Sequence, residues 1–166
     1  MLAGVPPHEP RETVPASFDR LRTGCVEEPI PWHDDYPQPE TLDGWAMVLA
    51  AHEVMGSVLT SGPPPWWVHQ IVDADEVVGD IGFHGPPAYG AARTAVVEIG
   101  YNVVPARRRQ GLATRACAMI IELAWRDGAD RVVAVTDPYN VGSQQVLLRN
   151  GFRQSFGGGF SLERPR

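Results

Sequence analysis

Val96-Val97-Glu98-Ile99-Gly100-Tyr101-Asn102-Val103-Val104-Pro105-Ala106-Arg107-Arg108-Arg109-Gln110-Gly111-Leu112-Ala113 is the stretch from which the rest of the chain is read. Its first part is rich in β-branched residues, so Thr94–Val104 is expected to be a strand. Pro105 ends it, because proline has no N–H to give to a ladder. Gly100 inside the strand suggests a bulge. From Gly111 the pattern changes period: Leu112, Cys117, Ile120, Ile121 and Ala124 recur at helical spacing, with Gly128 as the stop. A strand thus turns through a glycine straight into a helix. The first-turn N–H groups of such a helix have no intrahelical partner and carry the positive end of its dipole, which favours an anion. Small residues at 111 and 113 let a ligand approach the backbone, and three arginines supply counter-charge. A pyrophosphate fits; the alternative is an exposed arginine cluster holding nothing.

Downstream, Arg131–Thr136 reads as a short apolar strand. A second helix starts at Asp137 or Asn140 and closes at Asn150-Gly151, and Phe152–Phe156 with Phe160–Leu162 makes a hairpin across Gly157–Gly159. Upstream, Trp66–Val72 and Val77–Phe83 form an antiparallel hairpin joined by residues 73–76, and residues 85–93 are a Gly/Pro/Ala loop. A helix capped by Thr41 or Asp43 runs to about Leu59, with Trp45, Val48, Leu49, His52 and Met55 at helical spacing, until Gly62-Pro63-Pro64-Pro65 stops it. Eight of the 16 prolines fall in the first 40 residues. Residues 1–17 are therefore expected to be a flexible tail and residues 18–166 a single domain. The element order describes an α/β (α+β) fold: a mixed, mostly antiparallel twisted sheet with a central parallel βαβ crossover and helices on both faces.

Composition narrows the chemistry. With 166 residues, 43% hydrophobic and 20% charged, the chain is a globular domain long enough for one core. All 14 basic residues are arginine, so a P-loop, a pyridoxal-phosphate Schiff base and a Ser-Lys hydrolase are excluded. The net charge of −6 is uneven: residues 1–80 carry 14 acids against 3 arginines, and residues 81–166 carry 11 arginines against 6 acids. An anion in the second half and a cation drawn to the first would suit this asymmetry, as would a chance spread of surface charge. An acidic total speaks against general nucleic-acid binding. Cys25 and Cys117 read as structural, not as a disulfide framework. His52-Glu53 lacks the second histidine of a zinc helix, so no metal is expected. No secretion signal or membrane span is indicated, and a cytoplasmic protein is expected.

The stretch 97–152 resembles the GNAT superfamily of acetyl-CoA-dependent N-acetyltransferases. Arg108-x-x-Gly111-x-Ala113 matches its Arg/Gln-x-x-Gly-x-Gly/Ala signature in the expected strand-to-helix register. Residues 97–101, Asn140-x-x-Ser143 and Asn150-Gly151-Phe152 are similar to the branch that acetylates ribosomal-protein N-termini. The resemblance implies that the turn Arg108, Arg109, Gln110, Gly111, Leu112 and Ala113 cradles the pyrophosphate of acetyl-CoA. It implies that backbone around Tyr101, Asn102 and Val103 pairs with the pantetheine arm, at a splay beside the 131–136 strand, and that Asn140 bonds that arm. An N–H near Val103 would polarise the thioester carbonyl.

A protonated amine needs a base before it can attack. Glu98 is the leading candidate, acting through water; its alternative role is to pair with an arginine such as Arg115 and orient the strand. Asp34, Asp35 and His84 are further candidates for the amine pocket, as are Trp32 and Tyr36, two aromatics in an acidic, irregular segment. Many relatives have a tyrosine acid four residues before the Gly-Phe pair, where this chain has Leu147. Ser143, Tyr139 or water would then protonate the thiolate, with Ser143 alternatively a helix cap. The expected activity is direct acetyl transfer from acetyl-CoA to a primary amine, such as a peptide N-terminus or a small molecule, by a monomer or homodimer with no metal, membrane or nucleic-acid partner. The alternatives are a silent acyl-CoA sensing module and, more remotely, a nucleic-acid-binding domain using the arginine triplet.

Overall fold

The computed structural model describes residues 30–54, 66–90 and 93–166. The tail 1–17, Cys25, the helix end near Leu59 and the Gly62–Pro65 stop lie outside the described residues. So do the side chains of Trp45, Val48, Leu49 and His52. Ten elements follow in chain order: α1 (Pro39–Val54), β1 (Val68–Asp73), β2 (Glu76–Phe83), β3 (Ala88–Tyr89), β4 (Ala95–Val103), α2 (Leu112–Arg126), β5 (Arg131–Val135), α3 (Val141–Arg149), β6 (Arg153–Gln154) and β7 (Gly159–Glu163). The sheet runs β1-β2-β4-β5-β7-β6, with β3 also on β4. Only β4–β5 is parallel among these pairs, and α2 makes its crossover.

Several elements differ from expectation for identifiable reasons. α1 starts at Pro39, not behind a cap at Thr41 or Asp43, because proline's fixed φ and missing donor suit the first helical position. The Thr41 hydroxyl is instead committed to the sheet. The 85–93 loop contains β3, which resumes pairing with β4 after the break at residues 84–87. Gly100 is not a bulge: β2 and β4 keep one register from Gly79–Val103 to Phe83–Ile99, and the irregularity falls in β1 between Ile71 and Val72. The last hairpin is shorter on its first side and includes Gly159 on its second.

Both faces of the sheet are covered. β4 alternates, with Val97 and Ile99 buried beneath α2 and α3 and its even-numbered residues on the opposite face, which α1 approaches. α2 buries Leu112, Ala116, Cys117, Ile120, Ile121 and Ala124, one continuous stripe. The arrangement leaves the carboxyl end of β4 and the N-termini of α2 and α3 at one edge of the molecule.

Candidate active site

β4 and β5 pair only over Val96–Glu98 and Arg131–Val133. Beyond that they part, since β4 stays on β2 as far as Val103 while β5 follows β7 as far as Val135. Even-numbered residues of β4 face β2 with their backbone groups: His84 N–H donates to the Glu98 carbonyl, and Val104 N–H to the Val78 carbonyl. Alternation therefore directs the N–H and C=O groups of Tyr101 and Val103 into the gap. The gap widens into a cleft of about 320 Å³ whose walls include Tyr101, Asn102, Ala134, Thr136, Asn140 and Ser143. An extended amide-bearing chain can pair with such an open strand edge as a missing strand would.

At the end of the gap the chain turns into α2. Gly111 caps the helix at φ +79°, a conformation that favours glycine, and nothing lies within 4 Å of where its Cβ would be. Arg115 N–H closes the first helical bond on the Gly111 carbonyl, so the N–H groups of Leu112, Ala113 and Thr114 precede the intrahelical ladder. The three arginines separate. Arg107 turns back to Glu76 at 3.0 Å and Asp73 at 3.4 Å, tying the turn to the β1–β2 hairpin. Arg108 donates from Nε to the Val103 carbonyl at 2.8 Å, and Arg109 is exposed in a left-handed conformation. Arg107 is thus committed to the hairpin, which leaves Arg108 and Arg109 at the turn.

Across the gap, α3 begins on Asn140, whose Oδ1 accepts from Ser143 N–H at 3.0 Å. Asn140 is thus the cap and leaves its Nδ2 to donate outward, while Ser143 is the residue capped. Tyr101 donates its phenol to the Ser143 carbonyl at 3.0 Å, and burial holds that phenol far above its ordinary pKa. Leu147, one turn further on, is buried in the cleft wall.

On the opposite face, two cross-strand polar pairs flank a glycine pair. His84 lies beside Glu98 with Nδ1 3.3 Å from Oε1; Gly82 stands opposite Gly100; Asp80 stands opposite Asn102. The His84 ring covers Gly100, where a Cβ would come within 2.5 Å of Nε2. Asp80 is buried, accepts from Thr41 Oγ1 at 2.6 Å, and is pushed up to about 7 by burial, the Thr41 bond opposing the shift. Asp80, His84, Gly82, Gly100 and Asn102 all line the cleft.

Residues 7–153 fit the model of the acetyltransferase (GNAT) domain. The chain belongs to that family. It is 30% identical over 89 residues to the uncharacterized N-acetyltransferase YoaA of Bacillus subtilis, covering 53% of this chain and 48% of that protein. It thus spans about half the length of this curated relative. Among solved structures, Mycobacterium smegmatis RimJ in complex with CoA-disulfide superposes with a TM-score of 0.53 at 25% identity, over 75% of this chain and 60% of that one. The fold is also that of Salmonella typhimurium yncA with its cofactor acetyl-CoA, with a TM-score of 0.51 at 20% identity, over 73% and 88% of the two chains.

In this GNAT domain the residues singled out from sequence fall into two groups. Tyr101, Asn102, Asn140, Ser143 and His84 line the cleft, Val103 lies at its upper end, and Arg108 to Ala113 form the turn beyond it. Glu98 flanks the cleft through His84. Trp32 and Tyr36, by contrast, are absent from the cleft wall. They pack edge to face at 4.9 Å, Trp32 bridging Val77 and Tyr36 buried against the core. Asp34 and Asp35 sit in the exposed turn between them. Cys117 is buried, its thiol pushed up to about 12 by that burial, which removes it as a nucleophile. Sequence reading passed over Asp80; a carboxylate between β-branched residues and glycine in a strand with no basic partner nearby was its signal. Among the described residues no group of three or more His, Cys, Asp or Glu could hold a metal ion, and no helix is long and apolar enough to cross a membrane.

Proposed function

We propose that the protein transfers an acetyl group from acetyl-CoA to a primary amine, with both substrates bound together. The observation that carries this reading is the parting of β4 from β5 directly before the glycine-capped start of α2. Chain-pairing edge and anion site then lie in line, as a pantetheine-pyrophosphate ligand requires. Bound acetyl-CoA supplies an activated acyl group on a good leaving group. The turn Arg108–Ala113 holds its diphosphate, the edge of Tyr101–Val103 and the Asn140 amide hold its arm, and the Val103 N–H polarises the acyl oxygen.

The proton acceptor on the amine side is His84, with Glu98 behind it. A carboxylate 3.3 Å from Nδ1 favours the tautomer with its proton on that nitrogen, which leaves the lone pair on Nε2 over Gly100 and facing the cleft. Glu98 then acts through the imidazole and stabilises the imidazolium as it forms, so it positions and His84 accepts. The Tyr101 phenol stays un-ionised and serves as a structural donor. No protein acid is required for a thiolate leaving group, and Leu147 supplies none.

The reading is tested by following CoA release with a thiol reagent across N-terminal peptides, aminoglycosides and polyamines, beside calorimetric titration with acetyl-CoA. Turnover with any amine supports it, and absence of acetyl-CoA binding overturns it. Binding without turnover on every amine would favour the sensing module.

A further inference from the structure

Asp80 is the one buried carboxylate among the described residues, and it faces the cleft. No arginine or histidine among those residues pairs with it; its partner is a neutral hydroxyl, Thr41. A buried charge with one neutral partner is costly, and the usual compensation is a cation. A buried polar atom on each of its two cross-strand neighbours also lacks a partner. Gln70, its cross-strand neighbour on β1, is 8% exposed, and its Oε1 has no hydrogen-bond partner. Tyr36, 5% exposed, has its hydroxyl against the Gln70 side chain, and the Asp80 charge reinforces the burial that raises its pKa, with the Gln70 contact opposing the shift. Asn102, the neighbour on β4, has a buried Nδ2 with no acceptor.

We infer that the Asp80 carboxylate, where it faces the cleft beside Asn102, receives an N–H of the acceptor's primary ammonium group. The inference rests on the acetyltransferase reading for the word acceptor, but the ligand chemistry does not. An anionic acceptor facing the cleft suits a charged group that carries N–H donors. A quaternary ammonium has the charge and none of the donors. The unsatisfied Asn102 amide adds a donor for an oxygen carried next to the amine. One step along the same face, His84 Nε2 over Gly100 is placed to take the proton that the bound ammonium must lose. Asp80 therefore binds, and the His84–Glu98 pair deprotonates.

The groups facing Asp80 set its pH response. Thr41 and Glu40 come from α1, Tyr36 from the segment before it, Gln70 from β1 and Asn102 from β4. None is cationic, so the carboxylate ionises only near neutrality and ammonium binding rises between about pH 6 and pH 8.

The test uses the full chain without acetyl-CoA and two probes, n-butylamine and butyltrimethylammonium, with amide chemical shifts as the readout. Saturable n-butylamine binding is expected, with the Gly82, Gly100 and Asn102 amides moving and the quaternary probe at least tenfold weaker. Asp80→Asn should weaken n-butylamine at least tenfold at pH 8. Thr41→Val, which keeps the carboxylate, should retain binding and move its midpoint to higher pH. Equal binding by the two probes, by Asp80→Asn, or no saturable binding at all overturns the inference. If n-butylamine binds at Asp80 while calorimetry finds no affinity for acetyl-CoA, the acetyltransferase reading fails and the ammonium site stands.

Discussion

The imidazole of His84 occupies the volume that a side chain at Gly100 would need, and its other nitrogen meets Glu98. Glycine at this place is required neither by a turn nor by a positive φ. It is required by the ring that lies across it. Gly100→Ala would put a methyl group within 2.5 Å of Nε2 and must swing the ring off the cleft. The expected result is a kcat lower by roughly 10² with acetyl-CoA affinity within twofold, since general-base catalysis is worth about that much. Glu98→Gln should fall the same way but less far, as it removes the positioning partner and keeps the acceptor nitrogen. Equal losses in kcat and in acetyl-CoA affinity for either variant would show that the pair is structural.

Gly111 separates cofactor binding from catalysis. Nothing lies within 4 Å of its Cβ position, so bulk added there enters the open space that a ligand would fill. Gly111→Val should weaken acetyl-CoA binding by tenfold or more in calorimetry. The left-handed φ of +79° adds a backbone cost of about 1–2 kcal/mol, read separately as a lower Tm. Gly111→Ala provides the comparison, with the same strain and less bulk. If both variants lose Tm but bind acetyl-CoA as the parent does, the diphosphate lies elsewhere.

Much of the β4–α2–β5–α3 unit was legible because its signals are local. Pro105 and Gly128 mark ends, Asn140 and Asn150 bracket α3, and the 2.0 to 3.6 change of period after Val104 is unambiguous. Chemistry that depends on strand pairing was not. Nothing in the spacing of residues 80, 82 and 84 against 98, 100 and 102 states that they face one another, since that requires the β2–β4 register. Tyr36 and Trp32 are amine-pocket candidates by standing in a polar segment, yet Trp32 bridges Val77, half-buried, and packs on Tyr36, which is buried in the core. The arginine triplet read as one cluster because adjacent residues look alike in sequence, whereas a 3-10 turn at Pro105–Arg107 sends Arg107 to the hairpin acids.

His69 sets an acid limit on stability. It is buried on β1, neither ring nitrogen has a hydrogen-bond partner, and burial lowers its pKa to about 4, with Arg126 adding to the shift. The folded pKa lies below the unfolded value, so the native state holds fewer protons and loses stability as pH falls from about 6.5 toward 4. His69→Leu removes that proton uptake. Its acid-unfolding midpoint should move to lower pH, with stability at pH 5 closer to that at pH 7 than in the parent, as measured by urea titration at each pH. An unchanged pH dependence would mean that the imidazole is solvated.

Asp80 acts in the opposite direction, which makes it separable. Its folded pKa of about 7 is above the unfolded 3.8, so its contribution is complete below about pH 4 and is lost as pH rises to 7. Asp80→Asn keeps an acceptor for Thr41 and never ionises. Relative to the parent it should gain stability progressively between pH 4 and pH 7 and hold the gain at pH 8, by on the order of a few kcal/mol. The parent would then carry a buried charge that weakens the empty protein, a cost of the kind that functional sites retain. Saturating n-butylamine should close the gap at pH 8 by stabilising the parent and leaving Asp80→Asn unmoved, because a ligand shifts stability only where it binds. Equal Tm shifts in the two proteins would place the amine elsewhere in the cleft.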